Sequence, residues 1–86
     1  MNPILIKDRV EAALPGSRCF VQDFTGEGNH FEIRIVSASF SGKSLVQRHQ
    51  EIYALFQKEL ASNEIHALSL LTVTPEEIGE ENSKSE

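Results

Sequence analysis

Residues 30–73 read HFEIRIVSASFSGKSLVQRHQEIYALFQKELASNEIHALSLLTV, and the order of patterns in this stretch decides the fold. It opens with alternation: Phe31, Ile33 and Ile35 are apolar, whereas His30, Glu32 and Arg34 are polar. That is the period of a strand, His30–Val36, with one buried and one wet face, and His30 starts on the wet one. It closes with Ile65–Val73, an apolar-rich second strand signal. Between them Ser44-Leu45-Val46-Gln47 fits a capping box, in which the Ser44 and Gln47 side chains reciprocally satisfy unpaired backbone N–H groups. Leu45, His49, Ile52, Tyr53, Phe56 and Leu60 then fall at helical spacing. They predict one long helix to about Ser62, stopped by a left-handed Asn63. A strand–helix–strand crossover is right-handed and leaves its strands parallel. Ile65–Val73 is therefore expected beside His30–Val36, running the same way.

Outward from this unit, Asn2 is a helix N-cap with Pro3 at the first helical position. Ile6, Val10, Ala13 and Leu14 give that helix its apolar stripe, and Pro15-Gly16 ends it. Arg18–Asp23 reads as a strand joined to His30–Val36 by a hairpin loop, Phe24–Asn29, that contains Gly26 and Gly28. On the other side, Thr74-Pro75-Glu76-Glu77 is a second capping box, opening a short helix that Gly79 ends. Residues 80–86 are polar and acidic and are expected to be a disordered tail. The reading is one α+β domain, residues 1–79, of order αββαβα. Its sheet is three-stranded and mixed, with helices on one face.

The chain's 86 residues suffice for one domain with a modest core. Thirteen acidic against eight basic residues give a formal charge of −5, the opposite of a general nucleic-acid binder's balance. A single cysteine, Cys19, excludes an internal disulfide and a Cys-based zinc site, and reads as a small core residue. No secretory leader and no apolar run of membrane-spanning length is visible, so a cytoplasmic or stromal protein without membrane contact is expected.

Catalytic motifs fail on inspection. Ser41-Gly42-Lys43-Ser44 resembles the tail of a P-loop, but that motif needs glycine where Ser37 stands. HExxH and GxSxG are absent, and no nucleophile–base constellation appears, so an enzyme is not expected. The histidines remain. His49 lies on the apolar stripe and reads as structural. His30 and His66 are each unremarkable alone, yet both mark strand starts. Parallel strands place those starts at one end of the sheet, where two imidazoles could ligate a metal. Two ligands are too few for a closed structural zinc site, so the remainder would come from a partner. The rival reading is nucleic-acid binding: Lys43 and Arg48 lie near a helix start that favours phosphate, and Arg34 lies on the wet sheet face.

From Phe40 onward the sequence resembles the BolA family. The residues that carry the likeness are Phe40-Ser41-Gly42-Lys43-Ser44-Leu45-Val46-Gln47-Arg48-His49, Ile52-Tyr53, Ile65-His66-Ala67-Leu68 and Thr74-Pro75-Glu76. The hairpin Gly26-Glu27-Gly28-Asn29-His30-Phe31 is also similar, and the likeness spans about residues 4–78. It implies a class II K-homology-like fold and pairing with a monothiol glutaredoxin of the Cys-Gly-Phe-Ser type. It also implies a [2Fe-2S] cluster held between glutaredoxin cysteine, glutathione and ligands from this chain, with none expected in the isolated protein. The family's C-terminal ligand histidine matches His66, and its hairpin ligand matches His30. Some members are described as DNA-binding regulators. Here Gln50 replaces the family's usual basic residue, and the last helix lacks its usual tryptophan, with Ile78 near that place. The function implied is an adaptor in iron–sulfur trafficking or iron sensing, with transcriptional regulation as the alternative.

Overall fold

β2 (His30–Val36) takes the centre of the sheet because its alternating apolar residues find a partner strand along each edge. β1 (Arg18–Asp23) pairs with it antiparallel, Cys19 opposite Ile35 and Val21 opposite Ile33. β3 (Ala67–Val73) pairs parallel, Phe31 beside Leu68 and Ile33 beside Leu70. The computed structural model describes residues 1–24, 26 and 29–78. Its helices are α1 (Pro3–Ala13), α2 (Leu45–Leu55) and α3 (Gln57–Ala61), with a 3₁₀ turn over Ala38–Phe40 before α2. Residues 75–78 begin a further helix; the expected stop at Gly79 and the tail 80–86 lie outside the described residues. The three-stranded mixed sheet of an α+β fold is as the sequence predicts, except that β3 starts at Ala67. Ile65 and His66 are spent on the entering turn, donating to the carbonyls of Glu59 (3.1 Å) and Asn29 (2.7 Å).

The core lies between the sheet and α1 and α2. Ile6, Val10, Phe31, Ile33, Ile35, Phe40, Ile52 and Phe56 are buried there. Each side chain of this kind contributes about 1.5–3 kcal/mol when withdrawn from water. The caps form as their residue types dictate. Asn2 Oδ1 accepts from the Ile4 N–H at 2.8 Å, the Ser44/Gln47 box closes at 2.9 and 3.1 Å, and the Thr74/Glu77 box at 2.8 and 3.1 Å. Asn63 adopts the left-handed conformation (φ 65°) that was expected to end the helical segment.

Two expectations about the central helix fail. It is not continuous: it breaks at Phe56 (φ −119°, ψ 21°), whose N–H donates to the Tyr53 carbonyl at 3.0 Å. The break sinks Phe56 into the core, and Arg9 of α1 covers the gap. Its Nη1 donates to the Leu55 carbonyl at 2.9 Å. Both fork nitrogens reach the Glu59 carboxylate, at 2.9 and 3.1 Å, and the guanidinium lies 5.0 Å from the Phe56 ring centre. The Arg9 hydrogen bonds hold the Glu59 carboxyl below its usual range. The buried stripe is also rotated by about one residue. Leu45 is 62% exposed and Tyr53 38%, whereas Arg48 is buried.

Candidate functional site

The parallel register brings the two strand starts together. His30 opens β2 beside Ala67. The Asn29 carbonyl just before it accepts from both His66 N–H (2.7 Å) and Ala67 N–H (3.2 Å). Phe24 N–H donates to the His30 carbonyl at 3.0 Å, closing the hairpin behind it. The two imidazoles stand edge to face with ring centres 5.9 Å apart. His66 is exposed and His30 half-buried. Neither ring has a hydrogen-bond partner among the described residues. Metal–imidazole bonds are about 2 Å long, so rings at this spacing can converge on one ion after a modest side-chain rotation.

The donor set is incomplete. Among the described residues no group of three or more His, Cys, Asp or Glu could hold a metal ion. Cys19 does not join the pair: it lies opposite Ile35, five residues along β2 from His30, or roughly 16 Å at strand rise. Burial, with Glu11 nearby, pushes its thiol up to about 11, and its N–H donates to Glu11 Oε2 at 3.1 Å. Two nitrogen donors with open positions fit a metal or cluster whose other ligands arrive from elsewhere. His49 is half-buried on α2 and does not approach the pair as a third donor.

Of the basic residues assigned to nucleic acid, Arg34 lies on the exposed sheet face and Lys43 before α2 as expected, whereas Arg48 does not face solvent. Arg48 is buried and fully engaged. Its Nε donates to the Lys43 carbonyl at 3.1 Å and its Nη1 to the Thr72 carbonyl at 3.0 Å. Its fork meets the Glu77 carboxylate, Nη1 to Oε1 at 2.9 Å and Nη2 to Oε2 at 3.2 Å, and the guanidinium lies 5.7 Å from the Phe40 ring centre. Those hydrogen bonds hold the Glu77 carboxyl below its usual range. Arg48 is therefore a clasp between α2, the end of β3 and the helix at 75–78, and it is not presented to a phosphate. Lys43 pairs with Glu51, and Arg34 with Glu32. Sequence reasoning missed both arginine clasps. The signal available was an arginine at a stripe position, which needs a carboxylate somewhere to be buried. Tyr53, assigned to the stripe, instead donates its hydroxyl to the Leu68 carbonyl at 3.0 Å, on the outer edge of β3.

The molecule is thus a small α+β domain, a mixed three-stranded sheet with a pair of imidazoles at one corner. The family model described as BolA-like protein matches residues 7–77, and the chain belongs to that family. Among solved structures it is similar to the BolA domain of SufE1 from Arabidopsis thaliana, with 41% identity and a TM-score of 0.78, covering 87% of this chain and 93% of that one. Among curated relatives, the SufE-like protein 1, chloroplastic/mitochondrial, of Arabidopsis thaliana is 57% identical over 49 residues. A DNA-binding transcriptional regulator BolA from Haemophilus influenzae is 52% identical over 52 residues. The matched segment covers 57% of this chain and 13% of the first relative's length, and 60% of this chain and 50% of the second's. Among the described residues no helix is long and apolar enough to cross a membrane.

Proposed function

We propose that this chain is an adaptor that binds a monothiol glutaredoxin and supplies His66 and His30 to a shared [2Fe-2S] cluster, in iron–sulfur trafficking or iron sensing. The observation that carries the reading is the imidazole pair, with ring centres 5.9 Å apart and no third donor beside it among the described residues. Membership of the BolA-like family supports it. Such a cluster supplies electron storage and exchangeable iron when bound. The chain's own part is to hold two imidazoles at one sheet corner. Replacing thiolate by histidine raises a cluster's potential, which suits transfer or sensing. On this reading the chain has no catalytic residues, and it works where its partner does, in the cytoplasm.

The test is visible circular dichroism of the protein mixed with cluster-loaded glutaredoxin and glutathione, for wild type, His66→Ala and His30→Ala. His66 is fixed through its 2.7 Å bond to Asn29 and the buried Ile65 before it. A preorganised ligand loses less entropy on binding, so His66→Ala should alter the spectrum more than His30→Ala. Three coincident spectra would remove histidine ligation.

The alternative, a DNA-binding regulator, rests on the likeness to the Haemophilus relative, a DNA-binding transcriptional regulator. Against it, Lys43, Arg48 and Arg34 each face a carboxylate of this chain. Salt-dependent retention on duplex DNA, without retention on immobilised glutaredoxin, would favour it.

A further inference from the structure

Three arginines of this chain meet carboxylates, and two of them use both fork nitrogens: Arg9 on Glu59 and Arg48 on Glu77. Arg34 does not. Its side chain is 62% exposed and meets Glu32 through Nε alone, at 3.3 Å. Its Nη1 and Nη2 have no partner among the described residues. Arg34 stands on the sheet face turned away from α1 and α2. The register sets Phe20 on one side of it and Leu71 on the other, and these are 55% and 51% exposed. The face forms a trough of about 570 Å³, with Val36, Val73 and Ile78 on its apolar wall.

Small-molecule sites occupy about 300–1,000 Å³ and combine apolar walls with a few polar groups. Three strands of this length give a face of roughly 10 by 20 Å, well below the roughly 800 Å² per partner of a stable protein interface. A small ligand suits the trough better than a macromolecule. An arginine fork matches a carboxylate in geometry and charge. Glu32 takes the Nε edge, which leaves the Nη1–Nη2 edge for an incoming anion.

We propose that the trough binds a medium-chain fatty acid, its carboxylate on the Nη1–Nη2 edge of Arg34 and its hydrocarbon chain along Phe20, Leu71 and Val73. This site lies four residues along β2 from His30 and involves neither imidazole, so it stands apart from the cluster reading. The test uses the free protein without cluster or partner. Decanoate is titrated below its micelle concentration and followed by amide ¹H–¹⁵N shifts, with decanol and decyltrimethylammonium as controls. Decanoate should move the amides of Phe20, Arg34 and Leu71 and bind more tightly than either control. Arg34→Gln should weaken decanoate about tenfold or more, the usual loss for a hydrogen bond to a charged group, and leave decanol unchanged. Phe20→Ser should weaken both. Both replaced side chains are more than half exposed, so the variants retain the fold. Equal affinity for decanoate and decanol, wild-type decanoate affinity in Arg34→Gln, or shifts confined to the exposed Leu45–Val46 surface would each overturn the proposal.

Discussion

The parallel pair β2–β3 has two ends built on different principles. At the Val36 and Val73 end, Ser37 N–H donates to the Val73 carbonyl at 3.0 Å. Arg48 gathers the Lys43 and Thr72 carbonyls and the Glu77 carboxylate beside it. At the His30 end the backbone is equally well tied, through the Asn29 carbonyl, but the two imidazoles have no hydrogen-bond partner among the described residues. One end converts polar groups into stability, and the other holds them available for a ligand. The contrast shows why a buried arginine reads as architecture and two partly or fully exposed imidazoles read as a site, although all three are polar residues in an 86-residue chain.

The sharpest way to break this contrast is Arg48→Ala. It removes a packed, buried side chain and strands the Thr72 carbonyl, so urea denaturation should show a loss of about 2–4 kcal/mol. A surface phosphate contact would cost no more than about 0.5 kcal/mol, and a loss that small would refute the clasp.

Acid probes the Arg48 clasp by a different route, together with the Arg9 clasp on α3. Arg48 holds the Glu77 carboxyl, and Arg9 the Glu59 carboxyl, below the usual range. A depressed folded-state value contributes stability that is present above the unfolded value, about 4.3, and is lost as pH falls through the folded one. The urea midpoint should therefore be flat from pH 7 to about 5 and fall below that. Arg48→Ala should flatten part of the fall, and an unchanged slope would detach Glu77 from it.

The smallest effects belong to the histidines. His66→Ala should change stability by less than about 0.5 kcal/mol, as exposed substitutions do, and His30→Ala, at a half-buried position, by less than about 1 kcal/mol. His49→Ala, at a half-buried position, should cost less than about 1 kcal/mol. If His66→Ala unfolded the domain, the open corner would be structural and the contrast would collapse.

Much of this was legible in the sequence. β1 and β2 have the predicted limits because alternation and glycine leave little freedom there, and both capping boxes form from the residues that announce them. The meeting of His30 and His66 followed from parallel pairing. What stayed hidden depended on distant partners. Periodicity assigns a charged residue to water and so puts the stripe on Leu45 and His49. Arg48 is instead buried by Glu77, 29 residues away in sequence. The break at Phe56 was invisible for the same reason: its cover comes from Arg9, 46 residues before the Leu55 carbonyl it meets. Both are tertiary decisions that override local propensity.

The strand order also sets a timetable for synthesis. β2 is the central strand, yet its neighbour β3 is the last made of this sheet's three strands among the described residues. Until Ala67–Val73 leaves the ribosome, Phe31, Ile33 and Ile35 belong to a two-stranded hairpin with an unpaired edge, and such hairpins are marginal in water. An exposed apolar edge of that kind is a template for pairing with other chains. The nascent domain therefore depends on Ala67–Val73, and a chain that stalls before β3 is a substrate for chaperones or proteases.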